Sequence, residues 1–300
     1  MFLRKKSVMG FLSLIFLISL FSGYQSVSAS CGPPLIEAHW VEANLAKLTP
    51  VYVGFVGDDD KKKYDARHIP GSAYLAMGDL MGVVGSRDKA KFAELMGKLG
   101  ISSESHVIMY STPAANPFVP GAYWIMKYFG HSNVSILNGS LDKWEADGYG
   151  TDGNPVKITP ATYHAAPGNN KIIADGEYIL KNLKNPNVVI IDTRAENEYT
   201  GEKDVPYIKA KGHIPGAVNL NFYPTNRGEG GVYKSVEELK AVYEAAGVTK
   251  DKEVITYCEG SPRAADTFFV LKEILGYPNV KVYVGSWMEW GNDPKYPVEK

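Results

Sequence analysis

The chain has 300 residues, of which 45% are hydrophobic and 22% are charged, and its formal net charge is −1. The composition is that of a globular protein, and the length is more than one average domain. The near-neutral charge gives no reason to expect nucleic acid or a membrane surface as a partner, and no nucleic-acid-binding motif occurs.

The first thirty residues have the pattern of an export signal. Arg4, Lys5 and Lys6 precede an apolar run over residues 11–21, and small residues follow at 27–29. The run is shorter than the roughly 20 apolar residues that a membrane span needs. We therefore expect a signal peptide over residues 1–30 and a periplasmic or cell-envelope location.

Cys31 leaves the form of the exported chain open. Residues 28–31 (SASC) resemble the lipobox of bacterial lipoproteins, although a large aliphatic residue is usual where Ser28 stands. A soluble form and a lipid-anchored form both remain alternatives, and the anchor would be the protein's connection to a membrane. Cys258 is the second of two cysteines. We expect no Cys31–Cys258 disulfide, because it would consume a reactive thiol.

The rest of the chain repeats itself once. Residues 67–73, 107–111 and 138–144 have counterparts at 212–218, 254–258 and 284–290, at offsets of 145–147 residues. This pattern predicts one domain duplicated in tandem rather than a solenoid. The predicted domains cover residues 32–150 and 171–300, and a Pro- and Gly-containing linker covers residues 151–170.

Strands and helices alternate within each half. In the second half, residues 187–192 and 281–284 have the apolar composition of buried strands. Ser235 with Glu238 forms a capping-box pattern that predicts a helix start there, and Gly247 would end that helix. We expect an α/β fold in which each domain is a parallel sheet flanked by helices. The acidic and basic run at residues 58–63 is predicted to be a solvated loop.

The second half contains a cysteine between a strand and a helix. Residues 254–257 end a buried strand, and apolar residues recur at helical spacing after Arg263. The intervening turn carries Gly260, which would permit the backbone angles of a tight turn, and Pro262, which suits a first helical position.

This position suggests chemistry for Cys258. Free N–H groups at the turn and the helix start would point toward the sulfur, and Arg263 adds a positive charge. Both effects favour the thiolate, the nucleophilic form of cysteine. The alternative is a buried structural cysteine without reactivity.

These residues resemble the rhodanese family, and in particular its two-domain sulfurtransferases that act on thiosulfate or 3-mercaptopyruvate. The resemblance covers roughly residues 35–299 and rests on four segments in order: DTR at 192–194, GHIPGA at 212–217, the loop at 258–263, and GSWMEW at 285–290. In this family the first domain is usually inactive, which agrees with Ser111 at the position equivalent to Cys258.

The resemblance implies a mechanism and a site. The Cys258 thiolate would take a sulfur atom from a small donor and pass it to a thiol or cyanide acceptor, without metal or organic cofactor. Four residues separate Cys258 from Arg263, whereas related phosphatases have five, so the loop would fit sulfur rather than phosphate. The implied substrate-binding residues are Glu259, Gly260, Ser261, Arg263 and Arg194.

The sequence departs from the family at three places. Glu259 stands where thiosulfate enzymes commonly have Arg, and a carboxylate there would repel a dianionic donor. Ser261 replaces a frequent Gly and can offer a hydroxyl. The arginine that often precedes GHIPGA is missing, and Lys209 or Lys211 could supply a point charge instead.

Other residues are expected to be structural. His68 and His213 occupy matching turns in both halves, including the half without a cysteine, and Asp192 with Arg194 is an ordinary bracing pair. Trp290 is expected in the core, whereas Trp287 and Met288 could line the pocket mouth or cap the core. Two further functions stay open: a non-turnover sulfur carrier, and a purely structural double domain with an inert Cys258.

Overall fold

The computed structural model describes residues 32–55, 58–112 and 116–300, so the predicted signal peptide and Cys31 lie outside the described residues. Within the described residues there are two five-stranded sheets, one in each half, and all their strand pairs are parallel. The predicted α/β class and the duplication are therefore confirmed.

The two sheets have the same strand order. The first half has the order β1-β5-β4-β2-β3, and the second half repeats it as β6-β10-β9-β7-β8. The strands are β1 (Leu35–Ile36), β2 (Thr49–Val53), β3 (Ala73–Leu75), β4 (Val107–Tyr110), β5 (Val134–Leu137), β6 (Ile173–Ala174), β7 (Val188–Asp192), β8 (Val218–Asn219), β9 (Glu253–Tyr257) and β10 (Val280–Tyr283).

Helices connect these strands, as parallel pairing requires. They are α1 (Ala38–Asn44), α2 (Asp58–Ala66), α3 (Met77–Ser86), α4 (Lys89–Lys98), α5 (Phe118–Tyr128), α6 (Leu141–Ala146), α7 (Gly176–Asn182), α8 (Glu196–Tyr199), α9 (Phe222–Asn226), α10 (Val236–Ala245), α11 (Pro262–Phe269) and α12 (Ser286–Trp290). Short 3₁₀ turns lie at Leu45–Lys47, Asn170–Ile172 and Glu229–Gly231, and a π turn over Val270–Ile274 extends α11.

Local sequence signals locate several elements of the second half correctly. Ser235 caps α10, and its side chain and that of Glu238 exchange the hydrogen bonds of a capping box. The helix ends near Gly247, whose φ of +74° fits a residue without a side chain. The predicted strands at 187–192 and 281–284 are found within one residue of their expected bounds.

The prediction of a loop at residues 58–63 is wrong, because this charged run forms the first part of α2. Lys61 pairs with Asp65 four residues on, which is the spacing that stabilises a helix surface. Asp60 is buried and accepts a hydrogen bond from the Phe55 N–H at 2.7 Å, and Tyr64 packs into the core. The segment looks solvated in the sequence, but the tertiary contacts of Asp60 and Tyr64 stabilise it as a helix.

The segment between the two sheets packs on the first half. Residues 153–169 are in neither helix nor strand. Ala161 donates its N–H to the Gly97 carbonyl at 2.9 Å, and the Tyr163 ring meets Phe92 edge-on.

The two halves share a hydrophobic core. The largest cluster of buried side chains takes residues from both sheets, and α5 of the first half packs against α11 of the second. Across this contact the ring of Tyr123 meets Phe269 edge-on, with centroids 4.9 Å apart. The outer face of each sheet has its own smaller cluster. The helix that follows Cys258 is thus supported by the other half.

Among the described residues, no helix combines the length and the apolar character needed to cross a membrane.

Candidate active site around Cys258

Cys258 directly follows β9, which lies between β10 and β7 in the second sheet. The carboxyl ends of parallel strands are where sites form in such sheets. Cys258 is free, and only 1% of its surface is exposed. Residues 258–261 then turn the chain into α11, as the sequence predicts.

The start of α12 holds the first two residues of this turn. The Cys258 N–H donates to Ser286 Oγ at 3.2 Å, and Ser286 Oγ donates to the Tyr283 carbonyl at 2.8 Å. The carbonyls of Cys258 and Glu259 accept hydrogen bonds from the Trp287 and Met288 N–H groups at 3.0 and 2.9 Å. These bonds fix the direction in which the loop leaves the strand.

The unusual backbone conformation of the turn belongs to Ser261, not to Gly260. Ser261 has φ +81° and ψ −33°, a region that favours glycine, whereas Gly260 does not have a positive φ. A Cβ at Gly260 would lie 3.3 Å from Met288 Sδ, so the glycine instead makes room for a neighbouring side chain. The expected reason for Gly260 is therefore wrong, because the turn reverses one residue later.

The loop presents unpaired backbone donors. Among the described residues, no acceptor is hydrogen-bonded to the N–H groups of Glu259, Gly260, Ser261 or Arg263. Pro262 occupies the first position of α11, where its missing N–H costs nothing. Such a row of N–H groups attracts an anion.

Glu198 holds Arg263 beside the loop. The Arg263 guanidinium donates two hydrogen bonds to the Glu198 carboxylate, at 2.7 and 3.2 Å. Burial by itself would lower the pKa of Arg263, but the charges of Cys258 and Glu198 raise it above its usual value. Arg263 therefore stays cationic next to the sulfur. Sequence reasoning missed Glu198, whose one signal is an acidic side chain in the first turn of α8.

Glu259 is engaged on both of its carboxylate oxygens. Tyr207 donates its hydroxyl to Oε1, and the Arg263 guanidinium lies 3.6 Å from Oε2. The hydrogen bond to Glu259 raises the pKa of Tyr207, so the phenol keeps its proton. Tyr207 is 60% exposed and is not identifiable from the sequence, because nothing in its local pattern marks it.

Arg194 is buried away from the surface of the loop. Its guanidinium is bonded to Asp192, with Nη2 2.6 Å from Oδ2, and to the Gly212 carbonyl at 2.8 Å. Asp192 also accepts a hydrogen bond from the Tyr257 hydroxyl at 2.6 Å, which ties this pair to the strand that carries Cys258. The contacts are those of the bracing role expected for the pair, and they occupy the side chain that the family pattern suggested for substrate.

The other candidates for the pocket mouth separate clearly. Trp287 and Trp290 are buried in the core, whereas Met288 is 51% exposed beside Gly260. Lys211 pairs with Asp204 at 3.1 Å, so its charge is engaged there. The role suggested for Lys209 stays a prediction.

The first half has the same framework without the thiol. Tyr110 accepts the Ile69 N–H just as Tyr257 accepts the Ile214 N–H. Ser111 follows β4, and its hydroxyl donates to the Val53 carbonyl at 2.7 Å. The Ser111 hydroxyl is therefore engaged in a hydrogen bond within the first half.

His68 and His213 make equivalent contacts in the two halves. Each ring stacks on a tyrosine, with Tyr64 and Tyr199 as the partners, and its Nδ1 bonds the backbone carbonyl of that tyrosine. This symmetry supports the structural role expected for both histidines. In the described part of the chain, no group of three or more His, Cys, Asp or Glu side chains is arranged to hold a metal ion.

Comparisons with known proteins agree with this geometry. The model of the Rhodanese-like domain matches residues 37–147 and 175–293. The chain is 38% identical over 278 residues to the "Putative thiosulfate sulfurtransferase" of Mycobacterium tuberculosis, a match that covers 88% of this chain and 97% of the relative. It is 36% identical to the sulfur carrier protein TtuD of Thermus thermophilus, covering 89% and 96%.

Solved structures share the fold. The wild-type structure of EanB aligns with a TM-score of 0.80 at 23% identity, over 89% of this chain and 69% of that chain. The anaerobic ergothioneine biosynthesis enzyme from Chlorobium limicola aligns with a TM-score of 0.79 at 22% identity, over 89% and 70%.

Proposed function

Because the chain belongs to the rhodanese family, with two rhodanese-like domains in tandem, we propose that it is a sulfurtransferase that carries sulfur on Cys258. The observation that supports this most directly is the row of unpaired N–H groups after Cys258, closed by Arg263. These donors would stabilise both the thiolate and the persulfide that replaces it.

The reaction has two half-reactions. The Cys258 thiolate attacks the outer sulfur of a donor, and a new S–S bond forms. The bond between that sulfur and the rest of the donor breaks, and the rest of the donor leaves with its electron pair. A nucleophilic acceptor then attacks the outer sulfur of the persulfide and releases the Cys258 thiolate. Thiosulfate and 3-mercaptopyruvate are the proposed kinds of donor, and thiols or cyanide are the proposed acceptors. Relatives named as thiosulfate sulfurtransferases support this choice.

Intact-protein mass spectrometry tests the role of Cys258. After incubation with thiosulfate or 3-mercaptopyruvate, the wild type should gain the mass of one sulfur atom and lose it again on addition of cyanide. Cys258→Ser should gain no sulfur, while its circular dichroism spectrum stays that of the wild type. Ser111→Ala is the matched control in the other half and should load and discharge normally. Sulfur transfer by Cys258→Ser at the wild-type rate would contradict the proposal.

A sulfur carrier is the second candidate function. The Glu259 carboxylate, which would oppose an anionic donor, and the relative named as a sulfur carrier both favour it. A carrier would load one sulfur atom per chain and would not cycle with a small acceptor. Steady thiocyanate formation from cyanide over many turnovers would therefore exclude the carrier.

We also propose export to the periplasm or cell envelope, on the composition of residues 1–30. Cell fractionation and the mass of the N-terminal peptide would distinguish cleavage near residue 29 from a lipidated Cys31. An uncleaved chain in the cytoplasmic fraction would contradict export.

A further inference from the structure

Two carboxylates share one guanidinium beside Cys258. Arg263 makes two hydrogen bonds to Glu198 and also lies 3.6 Å from Glu259. Lys203 lies 3.6 Å from Glu198 and adds a second cation to this cluster. When Cys258 carries a persulfide anion, the cluster of Cys258, Glu198, Glu259, Arg263 and Lys203 has a net negative charge.

Within the part of the chain that the structure describes, no other Lys or Arg side chain forms an ion pair with Glu198 or Glu259. Lys211, on the segment that carries Tyr207, pairs with Asp204, and Arg194 pairs with Asp192. An anionic substrate at the loop would therefore find the unpaired N–H groups, while the two cations of the cluster, Arg263 and Lys203, are already paired with carboxylates.

The Tyr207 segment is held beside the mouth of the site, which is the side of the 258–263 loop that carries Glu259. Asn292, just after α12, donates from Nδ2 to the Tyr207 carbonyl at 3.1 Å and accepts the Lys209 N–H at 3.0 Å. The Ala210 N–H also bonds the Gly291 carbonyl at 2.9 Å. Tyr207 can therefore hold its hydroxyl against Glu259, so the carboxylate is kept at the loop rather than free to turn into solvent.

We propose that Glu259, held by Tyr207, selects a sulfur acceptor that carries a positive charge, such as an amine-bearing small thiol. This inference rests on the proposed function, since it concerns the second half-reaction of the same site. Attraction to the carboxylate would bring the amine to the mouth while the thiol approaches the persulfide. A carboxylate-bearing thiol would be repelled for the same reason.

The transfer itself is balanced without a further reactant. The persulfide anion takes the proton of the acceptor thiol, and the resulting thiolate attacks the outer sulfur of Cys258–S–SH and forms a new S–S bond. The bond between the two sulfurs of the persulfide breaks, and its electron pair stays on Cys258 as the thiolate. The products are the acceptor persulfide, which keeps the proton, and the enzyme ready for another donor.

Three thiols of similar size but different charge provide the test. Full-length protein is first loaded with sulfur, and loading is confirmed by its mass. Cysteamine, 2-mercaptoethanol or 3-mercaptopropionate is then added, and loss of the sulfur is followed in a single turnover. Because the thiols differ in intrinsic nucleophilicity, the compared quantity is the ratio of the wild-type rate to the Glu259→Gln rate for each thiol.

One unit charge near the mouth should change the rate about fivefold at low ionic strength, after screening by solvent. The ratio should therefore be about five for cysteamine, about one for 2-mercaptoethanol and about one fifth for 3-mercaptopropionate, and all three should approach one in high salt. Glu244→Gln, an exposed site on α10, is the control and should give a ratio near one throughout. Equal ratios for the three thiols would overturn the proposal.

Two further measurements keep the result interpretable. In the wild type alone, added salt should slow discharge by cysteamine and speed discharge by 3-mercaptopropionate. Because this measurement uses no variant, it tests the effect of charge even if Glu259→Gln does not fold. Tyr207→Phe keeps the carboxylate but removes the hydrogen bond that holds it at the loop, so the preference should keep its sign and become smaller. A preference of unchanged size would overturn the part assigned to Tyr207. A wild type that loads no sulfur from any donor would contradict the proposed function instead.

Discussion

Two serines with left-handed backbone frame Cys258, and their side chains do different things. Ser261 has φ +81°, and its hydroxyl has no hydrogen-bond partner among the described residues. Ser286 has φ +50°, but its hydroxyl accepts the Cys258 N–H and donates to the Tyr283 carbonyl. A positive φ is costly for any residue with a Cβ. The side chain of Ser286 offsets this cost with two hydrogen bonds, whereas that of Ser261 makes none among the described residues.

Glycine at these two positions should therefore have opposite effects. Ser261→Gly removes the strain and no internal hydrogen bond, so it should raise the free energy of unfolding by about 0.5–1 kcal/mol, net of the extra entropy of an unfolded glycine. Ser286→Gly leaves the buried Cys258 N–H without an acceptor, so it should lower the free energy of unfolding by about 1–2 kcal/mol. Urea denaturation of both variants measures the difference. A stabilised Ser286→Gly would show that its hydroxyl does not hold the loop.

At the scale of elements, an ion pair joins α8 to the start of α11. Burial acts to raise the pKa of Glu198, but the hydrogen bonds and charge of Arg263, the Ala195 N–H and Lys203 together hold that pKa below its ordinary value. A carboxyl with a depressed folded-state pKa stabilises the fold above its unfolded pKa of about 4.3. That contribution is lost as the pH falls through the lower, folded value.

Glu198→Gln should accordingly lower the free energy of unfolding by roughly 1–3 kcal/mol at pH 7, because the half-buried Arg263 then loses its main partner. The difference from wild type should shrink as the pH falls from 5 toward 3, since the wild-type carboxyl also becomes neutral there. Denaturant unfolding across that range measures it, with the exposed Glu244→Gln as control. A penalty that is the same at pH 7 and pH 3 would mean that shape, not charge, makes Glu198 necessary.

At the scale of the whole molecule, the half without a cysteine supports the half that has one. α5 of the first half packs on α11, and Gly121 faces Pro262 at the first turn of that helix. A methyl group at Gly121 would lie 3.7 Å from Pro262 Cα and Cβ, an ordinary contact distance. The contact therefore has room for one methyl group but not for a longer side chain.

Two substitutions at Gly121 should separate these cases. Gly121→Ala should leave sulfur transfer unchanged and stabilise the chain by about 0.5–1 kcal/mol, because alanine is the better helix former. Gly121→Leu should push the first turn of α11 away, lower stability by about 1–3 kcal/mol and slow transfer about tenfold. Thiocyanate formation and thermal unfolding measure both effects.

Gly82→Leu provides a matched control, because a Cβ at Gly82 on α3 meets no atom within 4 Å. It should leave transfer unaffected. If Gly121→Leu behaved like Gly82→Leu, the first half would not support the Cys258 loop.

The sequence by itself determined the duplicated α/β fold, the position of Cys258 and the bounds of the elements around it. These follow from local patterns: apolar strands, the Ser235 and Pro262 helix starts, and turns in the two halves that share the sequence HIPG. Such signals depend on neighbours within one element, so they can be read along the chain.

Only the tertiary structure decided which side chains complete the site. Glu198 is paired with Arg263 65 residues away, and Tyr207 reaches Glu259 across 52 residues. Contacts that the local pattern does not reveal also explain why the charged run of α2 resembles a loop in the sequence and why Lys211 looks free to serve the site. A charge has no fixed effect until its partner is known, because a carboxylate beside a guanidinium acts differently from one facing solvent alone. Sequence periodicity describes the elements, but the pairing of charges between them depends on how those elements pack.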